Sequence, residues 1–332
     1  MLRAMRSVES SIEALVAGAS ERTEFTHPDG KSEVPMERVV IDGERFILKH
    51  LDVRADWIMR TVGDLACLPI AVWRLGLLDA LPDSIDPVMV GAAWDGRKGA
   101  ILMHDVGQWL LPEGDGVIEQ AQHERFLDHM AELHASMWGW RDEFGLGGLG
   151  NRYLFFHRRL LPSIEASLGT TAAVPTKFVP EGWARFEERV PQAVDLIYGL
   201  QDDPSALLLG LTSTPQTFVH GDWKAGNLGA HADGRTILLD WQIPGEAPPL
   251  TDAVWYVCLN RARLPEPKDA ALDTYRAALE RHGVDTEPWW DKQVGLCLLG
   301  ALVQFGWEKA LGEDDELAWW VDRALDGARY LA

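Results

Sequence analysis

The stretch that most constrains this chain is Phe218-Val219-His220-Gly221-Asp222-Trp223-Lys224-Ala225-Gly226-Asn227, followed by Ile237-Leu238-Leu239-Asp240-Trp241. It brings Asp222, Lys224, Asn227 and Asp240 onto one short segment. Between its halves lies Ala232-Asp233-Gly234-Arg235. Asp-Gly between apolar runs is a strong hairpin signal. A two-residue loop at Asp233-Gly234 pairs Ala232 with Arg235 and sets Asn227 opposite Asp240, with Cβ atoms roughly 4.5–5.5 Å apart. One amide oxygen and one carboxylate at that spacing suit Mg²⁺, which takes hard oxygen ligands and shares them with phosphates. A β-bulge would break this pairing.

Asp222 precedes Asn227 by the spacing of the protein-kinase catalytic loop, His-x-Asp-x-x-x-x-Asn. There the Asp receives the substrate hydroxyl proton and the Asn holds a metal. Asp240 then takes the place of the metal-binding Asp of Asp-Phe-Gly, with Trp241 for Phe. On His220-Gly221-Asp222…Asn227 and Leu239-Asp240-Trp241 the chain resembles the aminoglycoside phosphotransferase and choline kinase-like family of small-molecule kinases. Gly221 where protein kinases carry Arg, and no Gly after Asp240-Trp241, favour the small-molecule branch. The bland alternative is a chance loop and hairpin with solvated carboxylates.

The resemblance implies an α+β, bilobal, protein-kinase-like fold. A small antiparallel-sheet lobe would span 1–103, an inter-lobe hinge 104–108 and a mainly helical catalytic lobe 109–332. It implies ATP and Mg²⁺ as cofactors. Asp222 would orient and accept the substrate hydroxyl, Lys224 would offset γ-phosphate charge, and Asn227 and Asp240 would hold the metal. Lys49, ending the strand Phe46-Ile47-Leu48-Lys49, would contact the α- and β-phosphates. Kinase-like folds pair that lysine with a Glu on the next helix. Here the segment from Asp56 to Leu78 has Asp56 and Asp64 but no glutamate, and Pro69 interrupts it. Two readings stay open: Asp64 or Asp56 substitutes with a shorter reach, or the lysine is less firmly held.

Two Asp-Gly hairpins, at Asp42-Gly43 and Asp95-Gly96, build the small lobe. Val8 to Ala17 reads as a short amphipathic helix. The polar segment Thr23 to Ser32 is either the loop over the ATP phosphates, through Lys31 and Ser32, or an ordinary hairpin loop. Met103-His104-Asp105-Val106-Gly107 is the expected hinge, and the backbone at Met103, Asp105 and Val106 would meet adenine. Ile118 to Trp138 is a long helix with His134 as a satisfied structural histidine. Gly145-Leu146-Gly147-Gly148-Leu149-Gly150 matches a dinucleotide loop but follows a helix, not a strand, so it is a loop near the substrate opening. Residues 151–211 read as helices with a loop at Thr170 to Pro180. Asp252 either caps the following helix or braces the catalytic loop. Residues 267–332 are helical, with five of the 15 tryptophans.

Composition narrows the partners. Of 332 residues, 47% are hydrophobic, enough for a large core. A net charge of −20 argues against nucleic acid or an anionic membrane as partner. Cys67, Cys258 and Cys297 lie far apart and read as buried thiols of a reducing, cytoplasmic compartment. The most apolar run, Val294 to Trp307, is too short to span a bilayer, and the N-terminus does not read as a signal peptide.

Three functions compete. The first is ATP-dependent phosphorylation of a hydroxyl on a small molecule such as an aminoglycoside, amino alcohol or sugar. The second is a nucleotide-binding pseudokinase or regulator, favoured by the missing glutamate and the poor phosphate loop. The third is a metal hydrolase using His220, Asp222 and Asp240, which lacks paired-histidine zinc spacing. The acceptor is expected to be cationic or polyhydroxylated, in an acidic, tryptophan-walled cleft involving Trp307, Glu308, Asp314, Asp315 and Glu316. Oligomeric state is not read from the sequence.

Overall fold

The structure is a computed structural model and describes residues 5–25, 35–160 and 174–332. Lys31 and Ser32 lie outside the described residues, so the expected phosphate loop does too. The N-terminal lobe is built on a five-stranded antiparallel sheet in the order β1-β2-β3-β6-β5: Ala19–Phe25, Met36–Ile41, Glu44–Asp52, Lys98–His104 and Met89–Trp94. Asp42-Gly43 is the two-residue turn expected, with Ile41 opposite Glu44. Lys49 pairs with Met36 and Ile101, in the middle of the sheet.

Several local expectations change. The first helix is only Ile12–Leu15, capped by Ser11. Glu9 instead bridges to Ala93, because residues 8–9 are drawn to the edge of the sheet. The segment 56–78 is two helices, α2 (Trp57–Val62) and α3 (Leu68–Arg74). Pro69 is not the breaker: it sits in the first turn of α3, where a missing N–H costs nothing. The break is Gly63, in left-handed conformation at the C-cap of α2. Residues 174–180 begin the helix Val174–Arg189 where a loop was expected; the rest of that loop lies outside the described residues.

In the C-terminal lobe the axis is α11 (Trp290–Leu311), 22 residues long and buried over most of its length. It packs on the helices Val174–Arg189, Leu250–Leu259 and Asp314–Gly327. The length argument against a membrane span does not hold for it. It is apolar enough to cross a bilayer, but 78% of its most apolar window is buried inside the protein, as in a core helix. Its polar side chains fasten the rest of the lobe: Gln293 to Leu250 N and Thr214, Gln304 to the Arg152 carbonyl, Lys309 to the Cys258 carbonyl. All three cysteines are free and buried.

A short strand of the N-terminal half, β4 (Ile85–Asp86), leaves the large sheet. It pairs in parallel with β9 (Thr236–Leu238), which pairs with β8 (Leu228–Ala230). The two lobes are thus joined by backbone hydrogen bonds as well as by the connection after His104.

Candidate active site

β7 (Thr217–Val219) is fully buried and pairs with Gly245–Ala247. It delivers His220, Gly221 and Asp222 to the base of the cleft between the lobes. Gly221 has φ +89°, and a Cβ there would collide with the Ile243 carbonyl and the Arg152 guanidinium. Only glycine meets both demands. The loop is then pinned from below by Asp252, whose two carboxylate oxygens accept the His220 N–H at 2.9 Å and the Gly221 N–H at 2.7 Å. Asp252 is the third residue of α9 (Leu250–Leu259), whose N-cap is Pro249, so bracing and not capping is its role. His134 touches the same carboxylate at 3.3 Å and the Tyr275 hydroxyl at 2.6 Å. Burial opposes ionisation of Asp252, but the His134 bond and nearby positive charge hold its carboxyl below the usual range.

His220 is fixed as a neutral ring. One nitrogen meets the Leu239 carbonyl at 2.9 Å and the other accepts the Asp222 N–H at 3.2 Å. Burial lowers its pKa. With both nitrogens engaged, His220 has none to offer a metal, and the described residues contain no metal-holding group of three or more His, Cys, Asp or Glu. The hydrolase alternative loses its chemistry.

Asp222 is held on both oxygens. Trp255 Nε1 donates to Oδ1 at 2.8 Å. Lys224 Nζ and Asn227 Nδ2 reach Oδ2 at 2.6 and 2.8 Å. Asn227 Nδ2 also donates to the Asp222 carbonyl at 2.9 Å. Burial pulls the Lys224 amine down, but Asp222 and Asp240 together outweigh it and raise its pKa.

The hairpin register differs from expectation by one residue. Leu228 pairs with Leu238 and Ala230 with Thr236, and the Leu239 N–H donates to the Asn227 carbonyl. The loop has three residues, not two. His231 N–H bonds to Arg235 O, Gly234 N–H bonds back to His231 O, and Gly234 takes φ +91°. That is a type I turn closed by a left-handed glycine, the next commonest hairpin after the two-residue form. Asn227 therefore faces Leu239, and Asp240 is not its cross-strand partner. Asp240 leaves the strand with φ +66°, a conformation Asp tolerates better than most residues. Trp241 behind it is buried edge-on against the His220 ring, with centroids 4.6 Å apart.

Lys49 Nζ binds Asp240 Oδ1 at 2.7 Å. Burial raises the Asp240 carboxyl, but Lys49 and Lys224 overcome it, and the net shift is downward. Neither Asp56 nor Asp64 forms an ion pair with Lys49 here; the substitution considered for the missing glutamate concerns the nucleotide-bound state. Both accept backbone N–H groups instead: Asp56 caps α2 through Met59 N, and Asp64 takes Ala66 N and Leu68 N in the turn before α3. Met103 ends in β6, and the amides of His104 and Asp105 are already donated, to Val88 O and Arg45 O. Val106 packs with Val88 and Ile237 in a small apolar cluster flanked by Met103, Leu110 and Leu239.

The expected acidic cleft changes most. Trp307 is 8% exposed and packs on Phe156. Glu308 lies 2.7 Å from Lys309, Asp314 binds Arg189, and Glu316 binds Lys268. These carboxylates are engaged at the far end of α11. Beside Asp222 stands an aromatic group instead: Trp255, Phe305, Phe155 and Phe156.

Sequence reasoning missed Trp255, Arg152 and Asn260. Buried Arg152 donates to the Gly221 carbonyl at 2.6 Å and the Ile243 carbonyl at 2.9 Å. Asn260 accepts the Ala225 N–H at 2.8 Å. None shares a local pattern with the motif; Trp255 lies three residues after Asp252 on the same helix, which was the available signal.

The comparisons agree with this geometry. The family model described as "Phosphotransferase enzyme family" matches residues 92–289. No curated protein matches the sequence. Among solved structures, the microcompartment-associated aminopropanol kinase shares 14% identity over 95% of this chain and 93% of its own, with a TM-score of 0.50. LicA in complex with AMP shares 13% over 96% and 94%, TM-score 0.50. The choline kinase LicA from Streptococcus pneumoniae shares 13% over 96% of each chain, TM-score 0.47. The first two show the fold, an antiparallel-sheet lobe on a helical lobe. With more than half of its length matched, the chain belongs to the phosphotransferase enzyme family and is a small-molecule kinase.

Proposed function

We propose that this chain transfers the γ-phosphate of ATP, with Mg²⁺, to a hydroxyl of a small molecule. The observation that carries the reading is the Asp222 carboxylate, fixed by Trp255, Lys224 and Asn227 on a loop whose own N–H groups are anchored on Asp252. Phosphoryl transfer depends on positioning and on charge neutralisation more than on covalent help from the protein. Asp222 orients the acceptor hydroxyl and takes its proton. Lys224, shared between the fields of Asp222 and Asp240, stabilises negative charge that builds on the transferring group.

The donor set fits Mg²⁺. Asn227 spends its amide nitrogen on Asp222, which leaves the amide oxygen for a cation. The Asp240 carboxylate, its side chain 25% exposed, supplies the second hard oxygen. Two protein oxygens, completed by phosphates and water, is the usual habit of this ion. When bound, the ion would neutralise charge on the phosphates. Lys49 approaches the α- and β-phosphates. The apolar faces of Val106, Met103 and Leu239 receive adenine, and the Val106 N–H, which donates to no described residue, is the hinge group left to bind its edge. The hydroxyl acceptor, a cationic one such as an amino alcohol or amino sugar, enters where its oxygen reaches the Asp222 carboxylate.

Asp222→Asn tests the reading. The amide keeps the shape and removes the base, so MgADP affinity measured by calorimetry is retained while transfer falls roughly 10²–10⁴-fold. The acceptors for the assay are a panel of amino alcohols, amino sugars, aminoglycosides and neutral sugars, repeated at raised salt. A cationic acceptor loses affinity as salt rises. An Asp222→Asn enzyme with wild-type turnover defeats the assignment, and nucleotide binding without transfer to any acceptor would mark a pseudokinase.

A further inference from the structure

A cavity of about 420 Å³ opens on the N-terminal lobe, lined by Val53, Arg54, Arg60, Leu65, Gly96 and Arg97. Three places in the chain meet there: the turn from β3 into α2 with the last turn of α2, the turn between α2 and α3, and the turn between β5 and β6. Lys49, Asp222, Asn227 and Asp240 do not line it. The cavity gathers three arginines and no carboxylate, in a chain of 51 acidic and 31 basic residues. Arg54 and Arg97 are exposed and form no ion pair with a described carboxylate. The acidic residues beside them in the chain are engaged locally. Asp52 Oδ1 accepts the Arg54 N–H at 3.0 Å, and its Oδ2 lies 3.5 Å from the Lys98 ammonium. Asp95 Oδ1 accepts the N–H groups of Arg97 and Lys98 at 2.8 and 2.7 Å. Asp56 and Asp64 are buried and bonded to backbone N–H groups. Arg60 Nη1 reaches the Arg54 carbonyl at 3.4 Å, which draws the guanidinium of one arginine against the backbone of the other. Like charges collected in this way repel one another, and an anion placed among them reverses the sign. The cavity is also partly apolar: Val53 is 9% exposed, whereas Leu65 stands 81% exposed and gains by being covered.

We infer that this cavity binds a small phosphate monoester with an apolar body. A guanidinium matches phosphate oxygens through paired N–H donors in a fixed plane. A phosphate monoester carries about 1.5–2 negative charges at neutral pH and three acceptor oxygens, so one such group serves three arginines. A carboxylate brings a single charge and two oxygens. The volume lies in the range of small-molecule sites, roughly 300–1,000 Å³, and exceeds what an inorganic phosphate fills. Val53 and Leu65 receive the rest of the ester. The site shares no residue with the cleft around Asp222 and does not depend on the kinase reading.

Calorimetry with phenyl phosphate at low salt tests the assignment. Phenyl phosphate should bind more tightly than inorganic phosphate, which has no apolar body, and more tightly than benzoate, which has one charge. Arg54→Gln/Arg97→Gln should lower its affinity roughly 10–100-fold, the scale of a hydrogen bond to a charged group. Both side chains are exposed, so the melting temperature should stay at the wild-type value. Arg185→Gln/Arg329→Gln removes the same charge from exposed positions of the other lobe and should leave the affinity within about twofold, because salt and distance screen it. Lys49→Met should leave it unchanged, since that lysine belongs to the cleft. The assignment is overturned if phenyl phosphate does not bind, or if Arg54→Gln/Arg97→Gln binds it as the wild type does. It is equally overturned if Lys49→Met abolishes binding, or if inorganic phosphate or benzoate binds as well. None of these results bears on the kinase reading, which rests on Asp222.

Discussion

The Asp222 carboxylate and the Lys49 ammonium both serve the cleft, yet they are held very differently. Asp222 has partners on both oxygens, and the backbone around it is fastened in turn: Gly221 by Asp252 and Arg152, Ala225 by Asn260. Lys49 has one contact at 2.7 Å to a residue 191 positions away in the other lobe. The difference follows from the chemistry each must do. A base that receives a proton works best when its position is set before the substrate arrives. A cation that has to turn from a carboxylate to phosphate groups must release its partner, so a single ion pair is the fitting attachment.

The largest effect should come from loosening the well-held side. Asp252→Ala leaves the buried N–H groups of His220 and Gly221 without acceptors and His134 without its carboxylate. Loss of one partner from such a buried charged network costs about 3–5 kcal/mol. The midpoint of urea unfolding reads this directly. A cost under about 1 kcal/mol would mean that β7 alone holds the loop, and the contrast would be false.

Next is Lys49→Met. We expect MgADP affinity to fall roughly 10–100-fold, the scale of a hydrogen bond to a charged group, while stability falls by less than in Asp252→Ala, because Lys224 stays beside the Asp240 carboxylate. A stability loss as large as that of Asp252→Ala would make Lys49 a structural pillar and erase the distinction.

The smallest effect calibrates the other two, away from the cleft. On the sheet, Glu37 takes two bonds from Arg22 at 2.7 and 2.8 Å and one from His50 at 2.7 Å. The Arg22 bond, against the opposing effect of burial and with help from His50, lowers the Glu37 carboxyl to about 2. A carboxylate whose pKa falls on folding stabilises the native state above its ordinary pKa of 4.5, and that stability is lost as pH drops from 4.5 towards 2. Solvent around the half-exposed Arg22 reduces the gain to about 1 kcal/mol. Glu37→Gln should remove that part of the acid slope, seen as a flatter plot of melting temperature against pH. An unchanged slope would place the acid sensitivity elsewhere.

What could be read from the sequence was what is local. His220-Gly221-Asp222, Asn227 and Asp240 sit within one hairpin, so spacing alone gathers them, and the turns at Asp42-Gly43 and Asp95-Gly96 announce themselves by residue type. The register failed because Asp-Gly serves a three-residue loop as well as a two-residue one, and only the strand ends decide between them. The braces were illegible for another reason. Arg152, Asp252, Trp255 and Asn260 reach the loop through tertiary contact, with no period or spacing linking them to it. Asp252 had two open roles, and the choice turned on Pro249 starting the helix earlier. The partner of Lys49 was sought on the next helix, while the structure finds it in the other lobe at Asp240, which no local spacing links to Lys49.

The place of α11 in the chain sets a timetable for biosynthesis. Trp290–Leu311 is the axis of the catalytic lobe, and Gln293, Gln304 and Lys309 tie it to Leu250, Arg152 and Cys258. Yet it leaves the ribosome after the segments that it seats. A nascent chain that has already exposed Asp222, Asn227 and Asp240 still lacks the helix against which Arg152 and α9 are seated. The N-terminal sheet, whose strands are complete by His104, can close while synthesis continues. The helical lobe has to wait for Trp290–Leu311, and until then its apolar faces lack the helix that covers them.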